Sequence, residues 1–342
     1  MVLPEQALVM EEERTMNSTT FKTTAGRSRY TTLAILLLFS SASAATAEAA
    51  SITLSSTCTF AKAVTSINVQ TTQSGCTRSG TYGASDTVVV PNGSYDIGSP
   101  VDIQRSMTIH GGGKTTAYLQ TTFSSYAYAI NVAKPSIVVK IDNLTLAAEF
   151  SNSDTGIIVN GENDTNLNDN NLELNYVVVA SFGNSGIYNQ GGRILVQNTL
   201  IYLNSGAWGG GVLNVNGSNN DGSWVMGSFV AKYSAISINQ ASLGGGIYNT
   251  GKLDLRSTLM QQNYGADDGG AIYVNSIDEL KSRASCNVRR DTASAAQSEI
   301  DDNVSDNGWG IISTVIPCTM TGTIGSGNSS PYCSPLTAGC PQ

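Results

Sequence analysis

The chain has 342 residues, of which 13% are charged, with 35 glycines, one histidine and a formal net charge of −8. An acidic chain with scattered Lys and Arg is a poor partner for nucleic acid, and a lone histidine, His110, excludes multi-histidine zinc centres. The length would ordinarily indicate two domains, but a solenoid grows along one axis and escapes that limit.

Residues 1–47 read as a targeting segment. The short apolar run Thr32–Phe39 follows Lys22, Arg27 and Arg29 and precedes the small-residue sites Ala42-Ser-Ala44 and Ala45-Thr-Ala47, the layout of a cleaved secretory signal. Glu5, Glu11, Glu12 and Glu13 do not suit its positive region, so either Met16 is the true start or the extension is unusual. No Cys directly follows the apolar core and no later stretch is long enough to span a bilayer, so a secreted or cell-surface protein without a transmembrane segment is expected.

Six cysteines remain, an even number suited to an oxidising compartment. They cluster at the ends, which favours Cys58 with Cys76, Cys286 with Cys318, and Cys333 with Cys340 among the fifteen possible pairings. Solenoid ends expose unpaired edges and need caps, and a loop of the Cys58 to Cys76 size gains about 3 kcal/mol from its disulfide. Residues 58–64 suit a short capping helix. A strand pattern at 86–90, a Pro91-Asn-Gly93 turn, and further strands at 101–103 and 107–109 follow.

Ile137 to Leu146 continues the stack, and the Asn- and Asp-rich run 161–171 interrupts it. Counted from Asp164, position six of that run is Asp169 and position twelve is Asn175, which fails the helix-loop-helix calcium pattern. A solvated turn is expected there, with calcium as the one candidate cofactor and no metal assigned.

The stretch from Gly186 to Val274 repeats one unit. Each copy reads apolar-x-x-Asn, a variable piece, two or three glycines, then an apolar residue. Its fixed points are Asn204, Asn239 and Asn263, followed by Gly210, Gly245 and Gly270. The apolar residue after the glycines falls at 187, 212, 247 and 272, giving steps of 25, 35 and 25 residues. The longer step is absorbed by an outward loop over 214–222. Within each unit the apolar period is two: Leu253 and Leu255 point inward with Ile194 and Val196, while Lys252, Asp254 and Arg256 point outward with Arg193, Leu195 and Gln197. Short strands separated by Gly and Asn in a 25-residue rung predict a parallel β-helix. Stacked Asn amides would contribute about 1 kcal/mol each and stacked aliphatics about 1.5 to 3 kcal/mol each, so the aliphatic core dominates.

Gly269-Gly-Ala-Ile272 after an apolar-x-x-Asn resembles the repeat of bacterial polymorphic outer membrane proteins and their secreted relatives. The opening Cys58-Thr-Phe-Ala-Lys-Ala-Val64 and the strands over 86–113 resemble the first coils of the pectate-lyase-like superfamily, which implies that residues 80–115 are coils one and two. These resemblances imply a single right-handed parallel β-helix, exported from a bacterial cell: residues 48–80 as a cap, 81–320 as the β-helix and 321–342 as a disulfide-held tail. No transmembrane barrel is expected, because the Gly-Cys-Pro-Gln end lacks the aromatic terminus of an outer-membrane strand.

That superfamily implies two enzyme chemistries. Lyases use Arg or Lys as a base beside a calcium-neutralised carboxylate, and hydrolases use carboxylates on neighbouring rungs. Asp267-Asp268 is an Asp-Asp pair, but no Arg-x-Lys follows it. If the chain is an enzyme, Asp254, Arg256, Asp267 and Asp268 are its candidate catalytic residues, with Lys252 beside them. The main expectation is a non-catalytic, monomeric rod that binds glycans or a cell-surface protein; the alternative is a carbohydrate-active enzyme.

Overall fold

In the computed structural model the described residues are 48–122, 128–152, 154–161, 170–275, 285–289 and shorter stretches from 299 to 338. The targeting segment, most of the 161–171 run, and Cys333 and Cys340 lie outside them.

Each circuit of chain lays down one strand in each of three long sheets. One circuit supplies Arg193–Gln197, Leu200–Tyr202 and Val212–Val215; the next supplies Ser228–Lys232, Ala235–Ser237 and Ile247–Asn249; the next supplies Lys252–Arg256, Leu259–Gln261 and Ile272–Val274. Corresponding strands pair in parallel and in register, Val196 beside Ala231 and then Leu255, Ile201 beside Ile236 and then Met260. The described strands build a 12-stranded, a nine-stranded and an eight-stranded sheet. The fold is a parallel β-helix.

The period of two within each strand sends alternate side chains to the axis, where Ile194, Val196, Phe229, Ala231, Leu253 and Leu255 form part of one continuous buried core. The corners between the 12- and nine-stranded sheets take positive φ at Asn143, Tyr176, Asn198, Tyr233 and Ser257. The glycine runs divide two demands. Gly209, Gly244 and Gly269 have φ near 60°, whereas a Cβ on Gly210 or Gly245 would lie 2.3 or 2.2 Å from a backbone oxygen of the next rung.

The expected Asn ladder is present and longer than the repeat indicated. Asn204 donates to Asn239 at 3.0 Å, Asn239 to Asn263 at 3.0 Å, and Asn263 to Asn303 at 2.9 Å. A second buried ladder, not anticipated from the sequence, runs from Asn189 through Asn214 to Asn249.

The helix Phe60–Val69 caps the first rung. Thr59 caps its N-terminus, and Phe60, Ala63, Val64 and Ile67 are its buried face. Disulfides join Cys58 to Cys76 and Cys286 to Cys318. The second links residues directly opposite each other on adjacent strands and lies inside the core. The sheets extend past both expected boundaries. Ser51–Thr53 already pairs with Thr87–Val90, and Thr323–Ile324 and Thr337–Ala338 add to the far end. Residues 80–115 hold one complete rung and only the first strand of the next, Met107–Gly111, because the second rung runs on to Tyr128–Val132. The 214–222 loop is an antiparallel hairpin, Gly217–Ser218 against Trp224–Val225. Among the described residues no helix is long and apolar enough to cross a membrane.

Candidate functional site

The outward side of the 12-stranded sheet changes character along the rod. In its early rungs opposite charges meet: His110 shares a hydrogen bond with Asp142, and Lys140 lies 3.1 Å from Glu173. His110 stands on the strand Met107–Gly111 and faces outward.

In the later rungs cations prevail. The register stacks Gln197, Lys232, Arg256 and Arg289 in one outward column and Arg193, Ser228, Lys252 and Ser285 in another. Between them runs Leu195, Val230, Asp254 and Asn287. Rungs lie about 4.8 Å apart, so five cations surround one carboxylate over a length of about 14 Å.

Asp254 organises the centre. Arg256 donates to its Oδ2 from Nε at 2.9 Å and Nη2 at 2.6 Å; Arg289, one rung on, donates to Oδ2 at 2.8 Å and to Oδ1 at 3.0 Å. Burial pushes this carboxyl up, but the hydrogen bonds and charges of Arg289 and Arg256 outweigh that and hold it below its ordinary value. It is therefore an ionised anchor for two guanidinium groups, the wrong protonation state for a general acid.

The four residues grouped from sequence do not form one site. Asp254 and Arg256 lie together on the 12-stranded sheet, with Lys252 on the same strand. Asp267 and Asp268 end the strand Tyr264–Asp268, part of a three-stranded sheet reached only after the nine-stranded sheet has taken its strand. The pair is thus in a strand, not a turn. Asp268 accepts from the Gly269 N–H at 2.9 Å, and burial, with smaller contributions from Tyr248 and Asp268, pushes the Tyr273 phenol up.

Lys232 and Arg289 were not singled out from sequence. Ser228-Phe-Val-Ala-Lys232 and Ser285-Cys-Asn-Val-Arg289 repeat the alternation of Lys252-Leu-Asp-Leu-Arg256, which was the available signal. Among the described residues no cluster of His, Cys, Asp and Glu is arranged to hold a metal.

No protein-family model and no curated protein sequence matches the chain. Among solved structures it is similar to ORF18 of Geobacillus virus E2, with TM-score 0.41, 15% identity, and coverage of 75% of this chain and 53% of that one. It is also similar to pectate lyase Pel9A, with TM-score 0.36, 9% identity, and coverage of 73% and 70%. A third is the pectin methylesterase from Aspergillus niger in deglycosylated form, with TM-score 0.34, 11% identity, and coverage of 75% and 82%. The chain spans about half the length of the first. Identities of this size concern the course of the backbone and assign no residue a role.

Proposed function

We propose that this protein is a secreted, non-catalytic rod that binds acidic polysaccharide along the later rungs of its 12-stranded sheet. The observation that carries this reading is the stacking of Arg193, Lys232, Lys252, Arg256 and Arg289 on one outward face of a chain whose net charge is −8. Cations repeated at the rung spacing match a polymer whose carboxylates recur along its length, and a rigid sheet holds them in place before the ligand arrives. Asp254, the carboxylate at the centre of these cations, is held ionised by two arginines, which rules against a general-acid role for it. Two disulfides suit an oxidising compartment and support export.

The test is retention of the mature chain on polygalacturonate and on a neutral galactan, with double-stranded DNA as a further polyanion. Unsaturated and reducing ends are followed with and without calcium. Retention on polygalacturonate that weakens with salt and falls about tenfold in the Lys232→Ala/Lys252→Ala double variant is expected. Equal retention on the neutral polymer would remove the electrostatic basis. New chain ends would establish the alternative, a carbohydrate-active enzyme.

A further inference from the structure

The outer face of the nine-stranded sheet is built differently from the cationic face. Its two outward columns hold Tyr118, Thr145, Val178, Leu200, Ala235 and Leu259 in one, and Gln120, Ala147, Ala180, Tyr202, Ser237 and Gln261 in the other, with Thr145 and Ala180 buried. No charged side chain interrupts either column from the strand Ala117–Thr121 to the strand Leu259–Gln261, a length of about 24 Å. Asp96 flanks one end and Asp301 the other.

The edge of this face is apolar at a conformational cost. Leu203 and Ile238 occupy the same corner on adjacent rungs, with φ of 56° and 55°, and each is 46% exposed. Positive φ disfavours any residue with a Cβ and disfavours a β-branched one most. Neighbouring rungs place Ser181 and Gln262 at that corner. Stability of a single rod would choose Asn or Gly there, so large aliphatics that are both strained and exposed point to a contact made outside the monomer.

We propose that this face pairs with the same face of a second copy, in place of the monomer expected from sequence. Two features select a second copy. The two columns carry no charge, and Glu149, exposed on the strand Thr145–Asn152, stands outside them, so two acidic chains can bring the columns together without burying like charges, which the cationic face does not allow. Its columns also recur at the rung spacing, so a second face turned through a two-fold axis meets it with the same period, as sheets do when they pack about 10 Å apart. The outward rings Tyr248 and Tyr273 of the eight-stranded sheet, by contrast, already stack on one another, and Trp208, from the segment before Val212–Val215, stacks on Tyr248. A face two columns wide and about 24 Å long is smaller than a standard stable interface, so the dimer is a weak one that forms toward the upper end of the micromolar range.

Sedimentation of the mature chain over nanomolar to submillimolar concentrations tests this, independently of polysaccharide binding. A monomer–dimer equilibrium that tightens with salt is expected, because Asp96 and Asp301 at the ends repel. Leu200→Glu abolishes the dimer. Ile238→Asn weakens it at least tenfold while leaving the melting temperature of dilute protein equal or higher, so misfolding cannot account for the loss. A monomer at every concentration overturns the proposal. So does association that weakens with salt, or that survives both variants but is lost in Lys252→Glu.

Discussion

Asp254 is where one residue decides what its neighbours can do. Its folded-state affinity for a proton is lowered, so the unfolded chain binds that proton more readily and the carboxylate stabilises the fold at neutral pH. That contribution persists above the ordinary aspartate value, about 3.9, and is lost as pH falls through the lowered one. Asp254→Asn is expected to melt about 2 °C below wild type at neutral pH, the size of a partly exposed ion pair in a chain this long. The gap should close as the pH drops below about 4, and thermal scans at both pH values check it. The same residue shows the limit of the sequence reading. Asp254 and Asp267 are 13 positions apart, about half of a 25-residue rung, and half a circuit carries the chain to another side of the rod. Proximity in sequence was taken for proximity in space, whereas residues one full period apart, such as Lys232 and Arg256, are the true neighbours.

At the scale of the rung, the ladders show why so much of the fold was legible. A buried Asn at fixed spacing has one economical use, which is to bond its own equivalents, and Asn239 does so in both directions. Its amide donates to Asn263 and to the Ile201 carbonyl, while its Oδ1 accepts from the Asn204 backbone and side-chain amides. Asn239→Ala orphans buried partners on both adjacent rungs and should destabilise the fold by about 3 kcal/mol, read from a denaturant titration. The second ladder was missed although Asn189, Asn214 and Asn249 all stand in the repeat. The period of two turns each inward with Ile187, Val212 and Ile247, but a strand pattern does not say that an inward Asn will bond the corner carbonyls and its own equivalents. Exposed Leu203 and Ile238 were unreadable for a related reason: backbone conformation at a corner leaves no trace in hydropathy.

The described rungs behave as a one-dimensional stack, in which each touches only its neighbours. A staple at one end is then felt locally. Cys286–Cys318 closes a 32-residue separation, and its removal should cost about 3 to 4 kcal/mol. In Cys286→Ser/Cys318→Ser, hydrogen exchange is expected to accelerate in the strands Ser285–Arg289 and Cys318–Met320 while those between 193 and 261 keep their protection. Uniform acceleration along the rod would instead mean that the stack unfolds as one unit.

The hairpin from Gly217 to Val225 is an excursion from the rungs that folds back at its tip. Asn219 and Ser223 close it on itself, and a side chain added at Gly222 would meet nothing within 4 Å. Foreign sequence spliced at Asp221–Gly222 would lengthen the hairpin and leave every rung in place. The rod therefore carries a ready attachment point for a label or a graft, at a known height along its axis.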